Sequence, residues 1–481
     1  MANYGNFQDQ VRHQPVYQQQ PQQFYPPQQY YQQYNQTPSS IIISPNCPQP
    51  QPSQNFLKFA NNQFKVTCLP PSPEVYLTQG AFGQIFKVVD PRTAQMVALK
   101  RMSYVFQNLG NCIRTFREIL MLHSFQHENV IGLTDILIPE NPHSFNEVCI
   151  LTELMGNDLH NMILTSQITE MHCNVFMYQI LRALKYIHSA RIIHRDLKPG
   201  NILVNDNCLI KICDFGLARA IDPNDVPHHL TLEVVTQCYK APELLMASTR
   251  YRESIDMWSV GCIFAEMVQT RILFQGEGER EQFGKILGVF GRPSDKVVAE
   301  YYPVGSKPLI DEIDRADQQE KKDRNVQYFY DSNNQKVTEL MKLVPNISNI
   351  GMDLLMHMLD MDPSKRCTAQ LALTHTYLNE GKVNFHSNIC SCCKRNNEMY
   401  MSQNNISYYS TPEPSPSSFD KLDVHLPPVI EKNIEKEISN RDMFSLRYFL
   451  NETIQNIVLR KNQAPLMLNC ESALFKTCFR K

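Results

Sequence analysis

Residues 192–201 read IIHRDLKPGN. An apolar pair leads into a polar cluster in which Lys198 stands two places after Asp196 and Asn201 five places after it. Taken singly, these are solvated loop groups. As a spaced set beside an apolar run they suit phosphoryl transfer. Asp196 accepts the proton of a hydroxyl, Lys198 neutralises a transferring phosphoryl group, and Asn201 ligates a metal ion. KICDFGLAR follows at 211–219. It sets Asp214 just after a predicted strand, where a carboxylate can hold Mg2+ against phosphate oxygens.

Upstream, LTQGAFGQI (77–85) carries Gly80 and Gly83, whose missing side chains let backbone N–H groups approach a phosphate. Alone it reads equally as a hairpin turn, and Thr78 stands where an initial glycine belongs. VALK ends on Lys100 in a predicted strand, and RTFREILML sets Glu118 in a helical pattern. A strand lysine paired with a helix glutamate holds two phosphates in register. By itself Lys100 reads as an edge residue turned to water. Downstream, Glu243 of APE has a candidate structural partner in Arg366 of DPSKR. No Gly-Lys-Ser/Thr phosphate loop is present, which excludes a P-loop NTPase.

The rest of the 481 residues sets the boundaries. Hydrophobic content of 42% and charged content of 20% are ordinary for a globular core, and a net charge of -2 offers no basic face for nucleic acid. No apolar run approaches the roughly 18 residues of a membrane helix, and MANYGNFQDQ lacks a secretion signal's apolar core. Fifteen scattered cysteines point to reduced thiols. Residues 1–70 are rich in Gln, Pro and Tyr and read as a disordered tail. From about 72, EVYLTQG, GQIFKVV and MVALKRM read as strands; from about 167, helical periodicity dominates. The expectation is an α+β arrangement in two lobes, with an N-lobe at 71–152, a hinge at 153–156 and a C-lobe at 157–378. An extension covers 379–481. In it, Leu446, Phe449, Leu450, Thr453, Ile457 and Lys461 recur at helical spacing and predict a helix over 439–461 capped by Ser439. Docking on its own domain is the favoured reading of that helix. Cys390, Cys392 and Cys393 lie near His386, but with no fourth ligand at tetrahedral spacing they read as buried or free thiols.

The glycine loop, Lys100, Glu118, His194-Arg195-Asp196, Asp214 and Ala241-Pro242-Glu243 arrive in one order. That set resembles the eukaryotic protein kinases over residues 72 to 380, and DLKPGN is of the serine/threonine type. The resemblance implies the bilobal protein kinase fold, with a small β-rich N-lobe and a larger helical C-lobe, and the cofactors ATP and Mg2+. Lys100, Asp196 and Lys198 would be catalytic, and Asn201 and Asp214 would hold the metal. Leu77, Thr78, Gln79, Gly80, Ala81, Phe82, Gly83, Gln84 and Ile85 would cover the nucleotide. Leu77, Ile85, Ala98 and Leu203 would sandwich adenine, Thr152 would be the gatekeeper, and the backbone of Glu153 to Met155 would bond the base. Glu118 would hold Lys100.

RTFREI, LTELMGNDLH, VVTQCYKAPE and IDMWSVGCIFAEM resemble the mitogen-activated protein kinase type. Thr231-Leu232-Glu233 in place of Thr-x-Tyr, with YLNEGKVNFHSNICSCC and APLMLNCESALFK, is most similar to the Nemo-like kinase family. The resemblance implies activation by phosphorylation of Thr231, the phosphate being received by Arg114, Arg117, Arg195 and Arg219, with Glu233 supplying a permanent charge where relatives carry phosphotyrosine. It implies Ser/Thr-Pro specificity, with Thr236 near Asp196; Cys238 replaces an aromatic residue there and Lys240 an arginine. Glu380 stands nearly alone where relatives keep an acidic docking patch. Implied partners are protein substrates, among them transcription factors of Wnt-type signalling, with room for a scaffold or β-catenin-like partner and a homodimer, and without nucleic acid or membrane. The implied location is nucleus and cytoplasm. The competing reading is a catalytically impaired kinase-fold scaffold, for which Thr78, Cys238 and Lys240 speak and the complete polar set speaks against.

Overall fold

The computed structural model describes residues 56–60, 75–80, 83–166, 168–220, 237–323, 332–391, 393, 438, 441–461, 463–470 and 472–479. Strands β1 (Leu57–Phe59), β2 (Val75–Gly80), β3 (Gly83–Asp90), β4 (Gln95–Met102), β5 (Leu133–Ile136) and β6 (Val148–Glu153) open the chain. The last five form an antiparallel sheet of order β2-β3-β4-β6-β5. Period-two alternation gives the sheet two faces. Phe86, Val88, Val97 and Leu99 are buried on one, while Ile85, Ala98 and Lys100 alternate with them and are half-buried on the other. The register sets Ile85 opposite Lys100 and Ala98 opposite Thr152.

The buried outer face is covered by chain that composition assigns elsewhere. After the short strands β7 (Asn157–Asp158), β8 (Ile192–Ile193), β9 (Ile202–Val204), β10 (Ile210–Ile212) and β11 (Arg219–Ala220), strand β12 (Leu466–Leu468) pairs antiparallel with β1. Phe56, Leu57, Leu466 and Leu468 join Phe86, Val88, Val97, Leu99 and Leu151 in one apolar cluster. Residues 56–60 therefore depart from the expected disordered tail of 1–70. Three of the side chains at 56–59 are apolar, and their partner strand lies at the far end of the chain, where local composition carries no trace of it.

Helix α1 (Leu109–Ser124) is capped by Asn108, whose side chain accepts the Asn111 N–H at 2.8 Å. Helix α2 (Glu170–Ser189) and helix α3 (Ser254–Gln269) form the centre of the large lobe. Helix α4 (Met443–Leu459) buries Leu446, Leu450, Ile454 and Ile457. It docks on α1 and β5, with Phe449 stacked on Phe116 at 5.3 Å and Lys461 3.5 Å from Asp135. Against the expected span of 439–461 the helix runs Met443–Leu459, and the Asp442 carboxylate caps its first turn by accepting the Ser445 N–H at 2.8 Å. Ser439 lies outside the described residues. Among the described residues no helix is long and apolar enough to cross a membrane.

Glu243 and Arg366 meet in the large lobe through two hydrogen bonds of 2.7 Å, both side chains fully buried, and the guanidinium lies 5.1 Å from the Trp258 ring centre. Removing one partner of a buried ion pair strands the other charge in a medium that cannot solvate it. Arg366→Ala is expected to lower the unfolding free energy of the purified protein by about 3–5 kcal/mol in denaturant titration. Glu243→Gln combined with Arg366→Met is expected to recover part of that loss.

Candidate active site

The polar cluster is built from the loop after β8. The N–H groups of His194 and Arg195 donate to the two oxygens of Asp256 on α3, at 2.8 and 2.9 Å. Burial alone would raise the Asp256 carboxyl; His188 and His194 outweigh it and hold the group below the ordinary carboxylate value. Arg195 takes a left-handed backbone, φ +70°, which these bonds sustain. Asp196 follows, and three bonds converge on it. Lys198 Nζ lies 3.0 Å from its Oδ2, and Asn201 Nδ2 donates to the same Oδ2 at 3.0 Å and to the Asp196 carbonyl at 2.8 Å.

Asp214 follows β10 in a left-handed turn, φ +64°. The loop is fixed on both sides. Cys213 N–H donates to the Asn201 carbonyl at 3.0 Å, while the Cys213 carbonyl lies 2.9 Å from His194 Nε2. Phe215 is buried 4.6 Å from the Phe125 ring and 4.9 Å from His194. Lys100 Nζ reaches Glu118 Oε1 on α1 at 2.5 Å and Asp214 Oδ1 at 3.4 Å. Burial works against the Lys100 ammonium, but Asp214 and Glu118 overcome it and hold the lysine charged well above its ordinary range. Burial likewise opposes the Asp214 carboxylate, and Lys100, His194 and Lys198 keep it ionised below the usual value.

The backbone bond from Cys213 to Asn201 brings the ionised Asp214 and the Asn201 amide, its nitrogen donating to Asp196, into one region, and their side-chain oxygens are of the kind a hard divalent cation takes. The turn between β2 and β3 supports close approach of a phosphate. Gly83 has φ +149°, and a Cβ there would collide with the Arg101 carbonyl, so the backbone itself forbids a side chain. Leu77, Thr78 and Gln79 lie exposed on β2, which ends at Gly80; Gln84 and Ile85 follow Gly83 at the start of β3. Thr152, Glu153, Met155 and Leu203 are half-buried where the two lobes join, and the Glu153 side chain pairs with Lys211 at 2.9 Å. Ala81 and Phe82 lie outside the described residues.

Of the expected phosphate-receiving arginines, Arg117, Arg195 and Arg219 share one neighbour, Tyr251. Burial raises that phenol, and their three positive charges pull it back. Arg117 also bonds the Gly216 carbonyl at 3.3 Å and Arg195 the Leu217 carbonyl at 3.2 Å. Arg114 lies half-buried on α1, one turn before Arg117. Thr231, Glu233 and Thr236 lie outside the described residues. Sequence reasoning missed Asp256 and Tyr251. Asp256 lies within the quoted stretch IDMWSVGCIFAEM, but its role, like that of Tyr251, is set by backbone or guanidinium groups far away in sequence. It also missed Glu266, whose Oε2 accepts the O–H of Tyr239, two residues before Ala241, at 2.6 Å, while Lys240 pairs with Glu279 at 3.0 Å.

The sequence profile of the protein kinase domain matches residues 73–378. Serine/threonine kinase NLK of Caenorhabditis elegans is 43% identical over 406 residues, covering 84% of this chain and 59% of its own length. Serine/threonine-protein kinase NLK2 of Xenopus laevis is 40% identical over 417 residues, covering 85% of this chain and 83% of its own. Mitogen-activated protein kinase 5 of Oryza sativa subsp. indica is 41% identical over 318 residues, 66% of this chain and 80% of its own. This chain spans 59% and 65% of the length of the NLK proteins of C. elegans and C. briggsae.

Burial pushes the Glu266 carboxyl up to about 7, against the opposing pull of its Tyr239 hydrogen bond. The folded state therefore prefers the protonated acid. Stability is greatest below the unfolded value near 4.5 and falls as pH rises through about 7. Glu266→Gln is expected to flatten that slope. Between pH 5 and 8 the wild type should lose on the order of 3 kcal/mol more than the variant in denaturant titration.

Proposed function

The chain belongs to the protein kinase family and, within it, to the serine/threonine kinases named NLK, and from that premise we propose that it transfers the terminal phosphoryl group of Mg2+·ATP to serine and threonine hydroxyls of other proteins. One observation carries the reading: Lys198 and Asn201 converge on the Asp196 carboxylate, while Lys100, Glu118 and Asp214 form a second charged set where the sheet, α1 and the loop after β10 meet. Asp196 stands ready to orient an acceptor hydroxyl and take its proton. Lys198, 3.0 Å from that carboxylate, brings a positive charge to where negative charge develops. Lys100, kept charged by two carboxylates, holds the nucleotide's phosphates in register with the sheet. Asp214 and Asn201 would hold Mg2+, which supplies charge neutralisation at the phosphate oxygens.

The preferred acceptor is a hydroxyl followed by proline. A residue without an N–H suits a pocket in which that donor would go unpaired, and similarity to the mitogen-activated kinases supports this assignment. Phosphorylation of Thr231 would raise activity. A phosphate there adds roughly -1.5 to -2 charge, and the clustering of Arg117, Arg195 and Arg219 around Tyr251 supports a receiving site for an anion. Proteins that regulate transcription and carry Ser/Thr-Pro sites are the substrates we favour.

Asp196→Asn is expected to lower kcat by about 10²–10⁴-fold in radiolabel transfer while leaving nucleotide affinity near wild type. Equal background transfer by both proteins would instead mark a scaffold. Thr231→Ala should lower kcat, and an oriented peptide library should select proline directly after the acceptor. A flat profile at that position removes proline-directed specificity.

A further inference from the structure

Away from the cleft, the start of the C-terminal extension gathers a cluster that phosphoryl transfer does not use. The helix Asn379–Asn384 runs into a π-helical turn, Phe385–Ile389, closed by the Cys390 N–H donating to the Phe385 carbonyl at 2.8 Å. Such turns are rare and frequent at functional sites. This one brings together His386, Cys390 and Cys393, all buried, with their ligand atoms within 4.8 Å of one another. His386 Nδ1 lies 3.2 Å from Cys393 Sγ, and its Nε2 lies 2.8 Å from the Tyr178 hydroxyl on α2. We propose that His386, Cys390 and Cys393 bind one zinc ion, which pins the beginning of the extension to the large lobe.

The spacing of the donors fits. With Zn–S near 2.3 Å and Zn–N near 2.0–2.1 Å, ligand atoms around a tetrahedral ion stand roughly 3.5–3.8 Å apart. The observed cluster needs adjustments of about an ångström to reach that. Two thiols and an imidazole are soft to intermediate donors, the set that zinc takes rather than magnesium or calcium. The Tyr178 hydroxyl engages the far ring nitrogen, as an outer partner of a metal-bound histidine does, and leaves Nδ1 for the ion. Charge also balances. On binding, each cysteine releases its proton to solvent, and two thiolates neutralise the dication in a buried place. Glu128 stands beside the cluster, accepting the Ser391 N–H at 2.7 Å and a hydrogen bond from Cys390, with Arg182 3.5 Å from its other oxygen. A water takes the fourth position, with Glu128 beside the site as an outer carboxylate. Sequence spacing alone favoured free thiols here. The fold changes that reading by turning His386 onto the cysteines, while Cys392 lies outside the described residues.

The test is metal analysis of the full chain purified without chelators. About one equivalent of zinc per chain is expected by mass spectrometry of the metal. Cobalt exchange should give the near-ultraviolet thiolate charge-transfer band and the strong visible bands of a tetrahedral site. His386→Ala, Cys390→Ser and Cys393→Ser should each lose most of the zinc, while Cys112→Ser, buried elsewhere on α1, keeps it. The proposal is overturned by half an equivalent or less in the wild type, by a cobalt spectrum without a thiolate band, by full zinc retention in the three variants, or by a Cys390–Cys393 disulfide in the purified protein. Should the variants fail to fold, the wild-type cobalt spectrum decides.

Discussion

The arrangement of the cleft depends on one ion pair, Lys100 with Glu118. Lys100 belongs to the sheet and Glu118 to α1, so the 2.5 Å contact is a statement about where an entire helix sits. Two buried charges attract strongly only in close contact, and a helix displaced by a few ångströms leaves Glu118 without its cation and Lys100 with Asp214 alone. Asp214 adds a second carboxylate at 3.4 Å and makes the lysine the meeting point of the sheet, the helix and the loop after β10. The geometry that gathers these charged groups is in this way the same geometry that orders the small lobe.

What holds α1 in place comes from the far end of the chain. Phe449 of α4 stacks on Phe116, two residues before Glu118, and Lys461 and Ala464 reach the Asp135–Arg92 group at the sheet edge. Strand β12 then crosses the outer face of the sheet beside β1. The kinase domain and the extension share packing. In physical terms, a truncation at residue 378 removes packing atoms from the lobe that binds nucleotide.

The polar cluster was legible in the sequence because it is local. Asp196, Lys198 and Asn201 fall within six residues, Lys100 and Glu118 within nineteen, and backbone geometry allows few ways to use such spacings. The two-lobed α+β division was legible for a similar reason, since strand and helix periods differ. Asp256, Tyr251 and Glu266 were not legible, because each matters through a partner brought near only by folding. The limits of the tail and of the last helix were less legible, at Phe56–Ala60 and at Met443. There the deciding partners are, respectively, a strand some four hundred residues later and the carboxylate of Asp442.

The pairing of Leu57 with Leu468 has a consequence for synthesis. A ribosome releases β1 early and β12 much later, so the five-stranded sheet can assemble while its outer face still lacks its cover. During that interval Phe86, Val88, Val97 and Leu99 present an apolar surface to solvent, the kind of surface that chaperones hold and aggregates share. The closing entropy of so long a loop grows only logarithmically with its length. The nascent chain is thus vulnerable for a time set by translation of the extension.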